Sequence, residues 1–152
     1  GYDISWPGVE RHLVIGPKPD LEDGSAEEYE RLRIQAGEPR WGVDIDEGTI
    51  PHASGLVPAS VDFTKGCFLG QELVARIDSR GGNTPKNLLL VEAERGLNPG
   101  DHVVADGKDV GEVTSSSDGI GLAMLKRPVS PGDSVEVNGA PAVVRELPAG
   151  SG

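Results

Sequence analysis

The sequence predicts an α+β chain, an α/β stretch followed by six short antiparallel strands. Three observations predict it. Ser25 and Glu28 are spaced as a capping box ahead of a helical run. Leu69, Leu73 and Ile77 recur at i, i+4 and i+8, the spacing of one helix face. After Pro85, short apolar runs alternate with the turn dipeptides Asp106-Gly107, Asp118-Gly119 and Asn138-Gly139.

The elements follow in order. Val9 to Ile15 reads as a strand, stopped by Gly16-Pro17-Lys18-Pro19. Ser25 caps a helix whose apolar stripe is Tyr29, Leu32 and Ala36, with Ile34 to one side; Gly37 and Pro39 end it. Trp41 to Phe63 lacks periodicity and reads as an extended loop. Gly70 to Ser79 reads as a second helix, with Leu69, Leu73, Val74 and Ile77 as its apolar stripe, ended by Arg80-Gly81-Gly82-Asn83. Strands are expected at 86–94, 102–105, 110–115, 120–125, 134–137 and 142–147, forming a small barrel or sandwich. The frame P-G-D-x-V-x-x-x-G occurs at 99–107 and again at 131–139, which predicts two similar hairpins in one closed sheet.

Composition sets the class. The chain has 152 residues, 36% hydrophobic and 26% charged, which fits a soluble globular protein. No apolar run approaches the roughly 20 residues of a membrane span. One cysteine allows no internal disulfide, so a reducing compartment, the cytoplasm, is expected. The net charge of −11 is uneven: −7 over residues 1–50, zero over 51–100 and −4 over 101–152. No basic face for nucleic acid is present. The chain opens Gly1-Tyr2-Asp3 without Met or a targeting pattern, and reads as an excerpt.

The stretch K-G-C-F-L-G-Q-E-L-V-A-R, Lys65 to Arg76, concentrates the chemistry. Cys67 precedes a helix start, where unpaired N–H groups favour a thiolate, and Lys65 adds positive charge. Gly66 and Gly70 clear the approach on both sides. Against this stands the commoner fate of a lone cysteine, burial as a small apolar residue. Lys65, Arg76, Arg80 and Lys86 make this region the place for a small anionic ligand, against the alternative of a solvated face. His12, His52 and His102 are dispersed without metal spacing, and each reads as a surface or hydrogen-bonded histidine.

This stretch resembles the signature of the YgfZ-type folate-binding proteins, which accept Phe or Tyr where Phe68 stands. Ile34-Gln35-Ala36-Gly37 with Pro39 is similar to the family's I-x-A-G-x-P segment, and Pro51 falls at its loop proline. The strands after Pro85 resemble the C-terminal barrel shared with the glycine cleavage T-protein, an aminomethyltransferase that lacks the cysteine signature. The resemblance implies the remnant of a split ferredoxin-like α/β domain over residues 1–84, with strand partners upstream, a six-stranded antiparallel β-barrel over 85–148 and a tail at 149–152. It implies a tetrahydrofolate-binding protein that supports assembly or repair of iron–sulfur clusters, with client proteins as partners and Cys67 as its functional residue. Tyr29 holds the place of a family aromatic and would stack on the pterin, or is simply core. Lys65 and Arg76 would meet the carboxylates of the folate tail. No resident metal is expected, because one cysteine cannot supply the roughly four ligands of a cluster. Aminomethyl transfer and a non-catalytic interaction module remain the alternatives.

Overall fold

The computed structural model of the chain describes residues 1–6, 8–67 and 69–148; Phe68 and the 149–152 tail lie outside the described residues. Among the described residues, eight strands and three α-helices run in the order β1 (Tyr2–Asp3), β2 (His12–Leu13), α1 (Ala26–Gln35), a 3₁₀ turn (Pro51–Ser54), α2 (Val57–Ser60), α3 (Gln71–Asp78), β3 (Lys86–Ala93), β4 (His102–Ala105), β5 (Lys108–Ser117), β6 (Ile120–Lys126), β7 (Ser134–Val137) and β8 (Ala140–Arg145). Strands β3 to β8 close into an antiparallel barrel in the order β3-β6-β5-β4-β7-β8. The predicted six-stranded barrel is therefore present.

Its three tight hairpins turn where the dipeptides predicted. Asp106, Asp118 and Asn138 sit at φ near +50°, each followed by a positive-φ glycine. Two consecutive left-handed residues make the type I′ turn, whose twist matches that of paired strands. The repeated frame also folds twice in the same way. Asp101 Oδ2 accepts from Asn98 N, and Asp133 Oδ2 accepts from Ser130 N, both at 2.8 Å. Gly100 N and Gly132 N donate to Val113 O and Val144 O, whose own amides donate back to Asp101 O and Asp133 O. β4 and β7, the strands that follow the two frames, pair with each other.

The barrel is filled by inward residues such as Val91, Val103, Val113, Leu125 and Val144, all nearly or fully buried. β3 and β6 are buried on both faces. Leu88, Leu90 and Leu122 point outward into a second cluster with Ile34 of α1. This explains why β3 reads as an unbroken apolar run instead of an alternating one.

α1 begins at Ser25 with the capping box complete: Ser25 Oγ accepts from Glu28 N at 3.0 Å, and Glu28 Oε2 accepts from Ser25 N at 2.8 Å. It ends in a Schellman motif. Gly37 at φ +68° donates to Ile34 O, and Glu38 N donates to Arg33 O. The predicted stripe is corrected. Tyr29 and Leu32 are exposed, while Arg33, Ile34 and Ala36 are buried. The helix turns a charged residue inward because the barrel supplies partners for it.

Two further expectations are corrected. The strand at 9–15 shrinks to His12–Leu13, paired only with Tyr2–Asp3. Beside it, Arg11 N goes to Ser5 Oγ, and Val9 forms an isolated bridge with Trp6. The loop at 41–63 contains the 3₁₀ turn and α2. Pro51 opens the turn, Gly55 at φ +73° closes it, and Pro58 stands in the first turn of α2. Among the described residues, every exposed large apolar side chain lies at or before Leu73.

Candidate functional site

The cysteine loop is shaped from its upstream end. Asp62 Oδ1 accepts from Thr64 N at 2.7 Å and from Thr64 Oγ1 at 2.6 Å. These bonds, the hydroxyl's first, hold the Asp62 carboxyl below its usual range, with help from Lys65. Lys65-Gly66-Cys67 follows, and all three residues are exposed. Cys67 is a free thiol. A Cβ placed at Gly66 or Gly70 would meet nothing within 4 Å, so the backbone on both sides of the thiol is open to a reactant.

Gly70, at φ +83°, caps α3, so Cys67 stands three residues ahead of the cap. Only Val74 of the predicted stripe is buried; Leu69 is fully exposed and Leu73 half so. α3 packs on the 3₁₀ turn, which packs on β3. Arg76 is exposed on α3, and Tyr29 projects half-exposed from α1, which packs instead on β5 and β6. The predicted residues thus sit on two separately seated helices and the loop before one of them.

The second polar feature escaped sequence reasoning. Arg33, 4% exposed, is surrounded by acceptors. Its Nε and Nη2 donate to the two carboxylate oxygens of Glu30, at 3.2 and 2.9 Å. Nη2 also donates to Ser115 Oγ at 2.9 Å, and Nη1 to Glu38 O at 2.7 Å and Asp44 Oδ2 at 2.8 Å. All five guanidinium protons are used. Asp44 completes its shell with Thr114 Oγ1 and Arg40 N. Burial alone would lower the Arg33 pKa, but the bond to Glu30 and the Asp44 charge outweigh it and raise it. The bond from Arg33 holds Glu30 below its usual range. A bulge in β5 makes this possible. The register with β6 shifts between Val113 and Ser115, so consecutive hydroxyls of Thr114 and Ser115 both reach the pair.

Next to this pair lies a cleft of about 540 Å³ between residues 42–50 and the outer face of β3, β5 and β6. Asp46, Thr49, Lys86 and Glu112 supply its polar groups, and Ile45, Ile50 and Met124 its apolar wall. Its size is that of a small-molecule site. Neither Cys67 nor Tyr29, Lys65 or Arg76 lines it. The histidines divide. His12 and His102 are exposed and paired with Glu10 and Asp109. His52 is neither exposed nor hydrogen-bonded, which corrects the expectation for it: its side chain is 7% exposed and both ring nitrogens lack a hydrogen bond. Among the described residues, no group of three or more metal-ligating side chains is present, and no helix is long and apolar enough to cross a membrane.

Residues 86–148 match the family described as the CAF17 C-terminal beta-barrel domain. The chain is 36% identical over 112 residues to a Mus musculus protein named iron-sulfur cluster assembly factor IBA57, mitochondrial. That alignment covers 68% of this chain and 31% of the mouse protein. It is 39% identical over 94 residues to the Cryptococcus neoformans homolog of that factor, also named mitochondrial, covering 57% of this chain and 25% of the homolog. The chain thus spans a third or less of the length of these two relatives. Its fold is similar to that of the glycine cleavage system aminomethyltransferase T from Bartonella henselae, with TM-score 0.66, 20% identity, and coverage of 78% of this chain and 37% of that one. Domain match, relatives and fold agree: the chain belongs with the IBA57- and YgfZ-like proteins and corresponds to their C-terminal portion, with the CAF17 C-terminal barrel at residues 86–148.

Proposed function

We propose that this chain is part of a tetrahydrofolate-binding protein that supports the assembly or repair of iron–sulfur clusters in client enzymes. The observation that carries the reading is Cys67: a single free thiol, exposed on a glycine-flanked loop, in a chain similar to named iron–sulfur assembly factors. In this reading residues 1–84 end the folate-binding α/β domain and residues 85–148 form the barrel beneath it. A lone thiol kept for chemistry fits a reducing compartment, which we take to be the cytoplasm.

The residues fit a folate in kind. The pterin needs a flat face, and the ring of Tyr29 stands half-exposed on α1. The glutamate tail needs cations, and Lys65 and Arg76 are exposed on either side of Cys67. Bound tetrahydrofolate supplies a carrier for one-carbon units. The chain's own part is to stack the ring, pair the tail and hold a thiol in the open. A thiol attacks or ligates as its thiolate. One thiolate contacts a cluster only in passing, since a resident cluster takes roughly four ligands.

The test is complementation of a deletion strain with the protein's gene, Cys67 intact or changed to Ala, reading an iron–sulfur-dependent tRNA-modifying enzyme under oxidative stress. Rescue by the intact gene alone is expected. Equal rescue by both makes Cys67 structural and favours an interaction module. Rescue by neither overturns the maintenance reading, and loss of glycine cleavage in the same strain would put aminomethyl transfer in its place.

A further inference from the structure

We propose that the cleft over Met124 binds a small zwitterion of dipeptide size, its carboxylate held by Lys86 and its ammonium by Glu112. The inference does not rest on the folate reading, because none of the residues given to folate there lines this cleft. It starts from the charges on the outer face of the barrel. β6 runs between β3 and β5, and across it Lys86 faces Lys126 while Glu112 faces Met124. Two cations directly opposite each other repel. Asp109 draws Lys126 away, with Nζ 3.9 Å from Oδ1. Its other oxygen holds His102, the partner of Glu112 on β4, with Nδ1 2.6 Å from Oδ2. One carboxylate thus engages a neighbour of each. Lys86 and Glu112 are left without an ion pair or side-chain hydrogen bond among the described residues, and both line the cleft.

The register sets the span between them. β6, with Met124 on it, separates the two residues. Two strand spacings across and two residues along put their α-carbons about 12 Å apart. Side chains stand roughly perpendicular to a sheet, so the charged heads open onto the cleft at a similar separation. An extended dipeptide measures about 7 Å from amine to carboxylate. An ion pair of about 3 Å at each end lets it bridge the gap.

The floor between the heads is apolar. Met124 and Ile45 are half-buried and pack on the outer core cluster. The wall beside them is already neutral: Asp44 is matched by Arg33 and also accepts from Thr114. Asp46 differs. It spends Oδ1 on Gly48 N and Thr49 Oγ1, at 2.9 Å each, and Oδ2 has no partner among the described residues. The same bonds fix the loop that forms the wall, so the cleft is built before a ligand arrives. The unspent charges are therefore two carboxylates against one ammonium. A dianion meets net repulsion here, and a purely apolar ligand leaves all three unused. A molecule with an ammonium, a carboxylate and an apolar body matches each feature.

Calorimetry on the whole chain at neutral pH tests this with leucyl-leucine as the probe. Two capped forms stand beside it: N-acetyl-leucyl-leucine lacks the ammonium, and leucyl-leucinamide lacks the carboxylate. Leucyl-leucine is expected to bind with Kd of about 1 mM or tighter. Each cap is expected to weaken binding about fivefold or more. Variants assign the ends. Lys86→Gln is expected to weaken leucyl-leucine by about the same factor and to leave leucyl-leucinamide unchanged. Glu112→Gln is expected to weaken leucyl-leucine and to leave the N-acetyl form unchanged. Both replace exposed side chains, so both variants are expected to fold as the parent does. Amide shifts of Lys86, Glu112 and Met124 on adding leucyl-leucine to the labelled parent locate the site without any variant. No saturable binding up to about 10 mM overturns the proposal. So do affinities that neither the caps nor the variants change, and shifts confined to other parts of the chain.

Discussion

Arg33 Nη1 donates to Asp44 Oδ2 at 2.8 Å, and the two side chains are 3% and 0% exposed. Through this one bond the helix α1, the loop at 40–46 and, by way of Thr114 and Ser115, the barrel strand β5 are tied together. A fully bonded buried pair adds little net stability over an apolar pair, but breaking it leaves an orphaned charge.

Arg33→Ala is expected to destabilise the chain by about 3–5 kcal/mol, because Asp44 and Ser115 lose their partner out of reach of water. Arg33→Lys is expected to recover only a small part, since an ammonium supplies three protons where five are used. Urea denaturation followed by circular dichroism measures both. An Arg33→Ala variant within about 1 kcal/mol of the parent would mean that water reaches the pair.

The acid limb of stability is expected to depend on Glu30. Its carboxyl is held below the ordinary value in the folded chain. A depressed folded pKa contributes stability above the unfolded value, about 4.3, and that contribution is lost as pH falls through the folded value. Glu30→Gln removes this term, so its stability-against-pH curve is expected to be flatter than the parent's below about pH 4.5. Parallel curves would show that the bond to Arg33 does not form in solution.

Gly111→Ala is expected to cost about 3 kcal/mol. Gly111 sits at φ +152° on β5, and a Cβ there would run into the backbone carbonyl of Met124 on β6. The barrel has to open a strand pair to admit it. Thermal melting of the variant beside Gly107→Ala, a turn glycine with open space around it, separates the clash from the backbone preference.

Cys67→Ser and Tyr29→Ala are expected to leave stability within about 0.5 kcal/mol, because both side chains are exposed. Their effects on function are expected to divide. Cys67→Ser abolishes rescue of the iron–sulfur client while folate binding by calorimetry persists. Tyr29→Ala weakens folate binding about tenfold, the loss of a stacking partner. A Tyr29→Ala protein that binds folate as the parent does would move the pterin elsewhere, and the cleft over Met124 is the next place to probe.

The features legible in the sequence were those set by neighbours along the chain. Ser25 and Glu28 form their capping box within one turn, and Asp118-Gly119 forces its hairpin alone. The paired frames at Pro99 and Pro131 announced a repeated hydrogen-bond pattern that the barrel then made. What stayed hidden depends on distant partners. Arg33 lies outside the predicted stripe, and nothing near it in sequence announces its partner Ser115, 82 residues away. The buried face of α1 is the one that carries Arg33 and Ile34, and Tyr29 and Leu32 of the predicted stripe fall beside it, exposed. The 3₁₀ turn was signalled by Pro51 and Gly55, yet four residues are too few for a periodic pattern. His52 gave no sign at all, since its burial is a property of the surfaces that close over it.

The closed order of β3 to β8 limits how this molecule can be recognised. In an open sheet the outermost strand offers a row of unpaired amides and carbonyls to any extended peptide. Here each barrel strand has a neighbour on both sides along at least part of its length, so no strand offers a whole edge for extension. Recognition at the barrel has to be read from side chains and loops. Among the described residues, the ribbon of β1 and β2 lies outside the closed sheet, and its two residues per strand are too short to hold a peptide in register.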